Sequence, residues 1–193
     1  PGSWDRGYVQ SVGGICTVVG DQLRFYYIGF KGGDPSSYMH SNGATGMAIL
    51  RRDGFASMST TGEGSLTTRP VTFTGKYLFV NVDCPSGELK VEILDKNNKV
   101  IDDLSADKCK AVSIDSTIQQ IEWNGSSDLS SLVGQEVKFR FKLKNGDLYA
   151  FWVSPSTNGE SNGYVAGGGP GYISNKDTEG KKAYEQASGL QKF

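Results

Sequence analysis

"EVKFRFKLKNGDLYAFWV" (residues 136–153) decides the fold class. Val137, Phe139, Phe141 and Leu143 alternate with Lys138, Arg140, Lys142 and Lys144. A period of two places the apolar set on one face and the cations on the other, as in a half-buried strand. Asn145-Gly146 offers the positive φ angles of a type I′ turn, so Leu148 to Val153 read as the returning strand of a hairpin.

The same alternation extends upstream. In "ELKVEIL" (88–94), Leu89, Val91 and Ile93 face inward while Glu88, Lys90 and Glu92 face water. "KYLFVNVDC" (76–84) sets Leu78, Val80 and Val82 on one face, and "STIQQIEW" (116–123) is a further strand. "ICTVVGDQLRFYYIGF" (15–30) reads as two strands around Gly20-Asp21, and "GMAILRR" with "GFASMST" as a pair around Asp53-Gly54. "SSDLSSLVG" (126–134) is a short helical turn stopped by Gly134. Short strands at such spacing predict an all-β chain, an antiparallel two-sheet β-sandwich of jelly-roll-like type. After Pro155 the chain turns to Gly, Ser and Asn. Residues 156–193 cannot build a core of their own and must lie on a larger body or stay disordered. "KKAYEQASGLQKF" could close the chain as a weak helix, and "GYVAGGGPGY" lacks the Lys-Ser/Thr of a phosphate loop.

Composition narrows the function classes. With 20 Lys plus Arg and 21 Asp plus Glu, the net charge is −1, without the basic face that nucleic acid requires. No apolar run approaches membrane-spanning length, so no membrane partner is expected. The single histidine, His40, argues against a histidine triad or zinc site. Cys16, Cys84 and Cys109 fit no metal spacing. Cys84 and Cys109 are the one pair to weigh as a disulfide, against buried thiols that act as small hydrophobes.

"SWDRGYVQSVGGICTVVGDQLRFYYIGF" (3–30), "GMAILRRDGFASM" (46–58), "LTTRPVTFTGKYLFVNVD" (66–83), "GELKVEILD" (87–95) and "LYAFWVSPSTNGESNGYVAGGGPGY" (148–172) carry a family likeness, most specific in "LRRDGF" (50–55). They resemble the C-terminal region of bacterial glycoside hydrolase-like proteins, similar in layout to glycoside hydrolase family 32, in which a five-bladed β-propeller precedes a β-sandwich. The resemblance implies a propeller-blade-like β-meander over 1–48, the sandwich over 49–155 and the irregular tail over 156–193. It implies a secreted or periplasmic setting and contact with a catalytic propeller or a second copy of the chain. The catalytic carboxylates of such hydrolases sit on earlier blades, and none maps onto this chain. The expected function is a non-catalytic carbohydrate-binding module; the alternatives are a brace for a propeller, or part of a hydrolase whose carboxylates lie elsewhere.

A sugar partner, oligo- or polysaccharide, needs flat aromatic faces with polar groups beside them. Trp123 with Asn124 and Asp128, and Tyr149 with Trp152, are the candidate ligand-binding residues. Arg51, Arg52 and Asp53 form an ion cluster where the two regions meet. Strand alternation sends the two arginines to opposite faces, which favours a structural junction over a shared ligand site. No cofactor is expected. Calcium is the one to weigh, because "DKNN" (95–98) and "IDDLSAD" (101–107) concentrate oxygen ligands without matching a known loop.

Overall fold

The computed structural model describes residues 2–36 and 38–190. Strands β1 (Tyr8–Ser11), β2 (Thr17–Val19), β3 (Gln22–Phe30) and β4 (Gly43–Arg51) form the first sheet. Strands β5 (Met58–Thr67), β6 (Tyr77–Asp83), β7 (Glu88–Leu94), β8 (Asp115–Gln120) and β9 (Lys138–Ser154) form the second. Among the described residues every strand pairing is antiparallel and no barrel closes, so the chain is all-β with two antiparallel sheets. The helix α1 (Lys181–Ala187) follows.

The first sheet is built around β3. Gly20-Asp21 joins β2 to β3 as a two-residue turn, with Val19 opposite Gln22 and Gly20 at φ 59°. On its other side β3 pairs with β4 from Gln22–Arg51 to Phe30–Gly43. The division between 48 and 49 therefore falls inside one strand. The Phe30 and Tyr27 rings lie over Gly43 and Gly46 of β4, shielding backbone that has no side chain of its own.

In the second sheet, Asn145-Gly146 is not a hairpin turn. β9 continues through it as one strand of 17 residues and takes the centre of the sheet. β5 pairs along one edge of β9, while β7 and then β6 pair along the other. Asn145 does adopt a positive φ of 45°, but Gly146 does not follow it. A type I′ turn needs both. Instead the ladder to β5 shifts register between Thr60 and Glu63, where two β5 residues face Asn145. Asp53-Gly54 likewise makes no hairpin: Asp53 has φ 52° and the Gly54 N–H donates to Arg51 O at 3.0 Å. The chain turns there from the first sheet to the second, and β5 pairs with β9 rather than with β4.

The larger core lies on one face of the second sheet. Leu78, Val80, Leu89, Val91, Ile93, Phe139 and Phe141 are buried there. Their cover includes Val71, Phe73, Leu104, Cys109, Ile121, Trp123 and Leu132, from the segments between strands. β6 is buried on both faces, contrary to the half-buried pattern its alternation predicts. Phe79 and Asn81 are as enclosed as Leu78 and Val80, because the tail covers Phe79 while Arg51 and Arg52 engage Asn81. Gly159 lies against the Phe79 ring, and Lys181 Nζ sits 5.2 Å from its centroid. Glu92 also departs from its expected place in water. It is buried, held by Arg140 at 2.8 Å and Lys142 at 3.1 Å.

A smaller core joins Cys16, Val18 and Leu23 of the first sheet region to Val165 of the tail. Gly167 N–H donates to Cys16 O at 2.9 Å and Val18 N–H to Gly168 O at 2.8 Å. Of the two possibilities for residues 156–190, packing against a larger body is the one observed.

Candidate functional site

The sequence-predicted aromatic platforms are not exposed platforms. Trp123 is buried in the larger core, and its Nε1–H donates to Val91 O at 2.9 Å. The space beside it, reaching Ser126 and Asp128, is about 10 Å³, too little for a sugar. Asn124 is exposed and its backbone N–H donates to Lys108 O; the Asp128 carboxylate accepts from Ser130 N–H at 2.9 Å, which lowers its pKa. Trp152 stacks on Phe79 with centroids 5.7 Å apart and donates to Gly159 O at 3.0 Å. Tyr149 is half-buried beneath the Arg51 guanidinium, 4.7 Å from its ring centroid. Trp123 packs in the larger core, whereas Trp152 packs under the tail. The structure does not unite them in one site.

Arg51 and Arg52 go separate ways. Arg51, at the end of β4, donates from Nε to Asn81 Oδ1 at 2.7 Å and from a terminal nitrogen to Val82 O at 3.0 Å, and pairs with Asp115. It thus ties the first sheet to β6 and β8. Arg52 turns toward the tail. Its guanidinium meets Asp177 at 2.8 Å, donates to the Tyr172 hydroxyl and lies 5.2 Å from the Tyr184 ring centroid. Asn81 Nδ2 donates to Arg52 O at 2.6 Å, closing a link between the two arginines. Asp177 is buried and fully engaged: it also accepts from Ser161 Oγ and from the N–H groups of Glu179 and Gly180. Burial alone would lower the Arg52 pKa, but Tyr184, Tyr172, Asp177 and Asp53 together raise it. Asp53 stays exposed, 3.7 Å from Arg52 Nε.

Beside this junction lies a cleft of about 320 Å³ between the first sheet, the 52–55 turn and the tail. Val18 and Leu23 give it an apolar floor, and Asp53 and Ser161 contribute oxygens. Phe55 and Tyr164 line it, at 73% and 71% exposed. Phe55 is braced edge-on by Phe25, with centroids 6.3 Å apart. Phe55 stands two residues from the ion cluster and Tyr164 in "NGYVAG", yet composition gives no sign that they share one cleft. A larger groove of about 770 Å³ runs over the outer face of β5, β9 and β7. Lys90, Lys142 and Lys144 line it, paired with Glu88, Glu92 and Glu63, and it has no aromatic surface.

The three cysteines are free and buried, so Cys84 and Cys109 are not a disulfide. Burial raises both thiol pKa values. Among the described residues, no three His, Cys, Asp or Glu side chains gather as metal ligands. Asp95 instead accepts the N–H groups of Asn97 and Lys99, and Asp103 pairs with Lys108. No helix among the described residues is long and apolar enough to cross a membrane. No protein-family model matches the chain, no curated protein matches its sequence, and no solved structure matches its fold.

Proposed function

We propose that this chain is a non-catalytic carbohydrate-binding module whose site is the cleft between Phe55 and Tyr164. The observation that carries the reading is that two largely exposed aromatic rings line one cleft. Such rings cover the C–H faces of a pyranose, while the Asp53 and Ser161 oxygens and nearby backbone groups serve its hydroxyls. The likeness of "LRRDGF" and the strands after it to the C-terminal region of glycoside hydrolase-like proteins supports the same reading. Hydrolysis would belong to carboxylates outside this chain, in a secreted or periplasmic parent. The test is affinity electrophoresis through gels holding dextran, xylan, laminarin or alginate. The folded chain is retarded by at least one of them, and Phe55→Ala and Tyr164→Ala each abolish retardation without lowering the melting temperature. A folded chain that none of the polymers retards overturns the reading.

The second reading is a brace for a catalytic propeller. It is favoured by β1, exposed at all four residues including Val9, with Val12 and Ile15 beside it at 52% and 62% exposed.

A further inference from the structure

The geometry points to β4 as a self-pairing edge that joins two copies of the chain into one continuous sheet. β4 pairs with β3 on one side, and among the described residues no strand pairs with its other side. Roughly half of its backbone donors and acceptors therefore point outward. From Gly43 to Leu50 it carries no charge, no proline and no register shift. The other long edge, β5, is defended: its ladder is interrupted between Thr60 and Glu63, and the Glu63 side chain is 82% exposed. The contrast within one molecule marks β4 as the edge left open to a partner.

Self-pairing fits the charge pattern. An antiparallel pair centred on Met47 sets Ile49 of one copy opposite Thr45 of the other. Arg51 then stands opposite Gly43, so no like charges meet. The face continues as well as the edge. Ile49 and Tyr26 are 47% and 44% exposed, and the Tyr26–Met47 and Arg24–Ile49 pairings place Met47 and Ile49 on the same side as Tyr26. A two-fold axis through Met47 would join this row to its copy, an isologous contact that closes at two.

Sedimentation velocity on the full chain, from ~1 to ~200 μM, tests this directly. The native chain sediments as a dimer at the upper end. Thr45→Lys with Ile49→Lys puts like charges opposite each other and weakens dimerisation by at least ~10-fold. Thr45→Lys with Ile49→Glu keeps similar bulk at the same positions but sets ammonium opposite carboxylate, and restores the dimer. Circular dichroism confirms that both variants fold. A native chain that stays monomeric throughout, or a dimer that the double-lysine variant leaves intact, overturns the proposal.

Discussion

At Arg52 the chain commits a charge to its interior. The guanidinium is enclosed by Tyr172, Tyr184 and Asp177, and Asp177 is nearly sealed from water. Removing one partner of such a pair strands the other without solvent. Arg52→Ala should therefore destabilise the fold by about 3–5 kcal/mol in urea unfolding. Arg51→Ala, at a better solvated site, should cost about 2 kcal/mol through its lost charged hydrogen bonds. Neither should change retention by a polysaccharide gel as strongly as Phe55→Ala. The same cluster sets an alkaline limit. Burial raises the pKa of Tyr172 and Tyr184 above the ordinary 10, opposed by Arg52 in each. Above pH 10 the unfolded chain loses protons that the folded chain keeps at these two tyrosines, so their contribution to stability is whole below that pH and is lost as pH rises through the folded values. Denaturant midpoints measured from neutral pH to beyond pH 10 should show this slope, and Tyr172→Phe or Tyr184→Phe should flatten it.

At the scale of elements, β9 shows how a local signal can be right about backbone and wrong about topology. Asn145 and Asp53 both take the left-handed conformation that Asn-Gly and Asp-Gly advertise. Which strand follows is settled by distant partners, and those were not visible in the dipeptides. Asn145→Val should cost about 1–3 kcal/mol by forcing a β-branched residue to positive φ, while Asn145→Gly should leave the thermal midpoint nearly unchanged. The alternation in 88–94 and 137–143 and the turn at Gly20-Asp21 were legible, because each depends on neighbours in sequence. The surroundings of Trp123 and Glu92 were not. A tryptophan followed by Asn-Gly looks like a strand end at water, and only the fold brings Val91 O to its indole. A glutamate between Val91 and Ile93 looks solvated, but burial is outweighed by Lys142 and Arg140, which hold its pKa below the ordinary range. The cleft between Phe55 and Tyr164 joins residues more than a hundred positions apart, beyond any spacing rule.

For the molecule as a whole, the tail is a structural part. Without residues 156–190 the smaller core would lose Val165, and Phe79 with Trp152 would lose the cover of Gly159. Gly169 is the tightest contact, since a Cβ there would meet Val18 O at 1.7 Å. Gly169→Ala should lower stability by about 1–3 kcal/mol. Limited proteolysis should then cut first between 155 and 180, where the native chain resists.

The central place of β9 also orders events in time. The first sheet pairs strands that are all present once residue 51 has been made. β5, β6 and β7 have no central partner until residues 138–154 emerge; Thr67, the near end of β5, waits for Arg140. On a translating ribosome the first sheet can settle early, while most of the later apolar strands remain unpaired. Pairings this distant in sequence close slowly, so assembly of the second sheet should be the rate-limiting step and the interval most prone to aggregation.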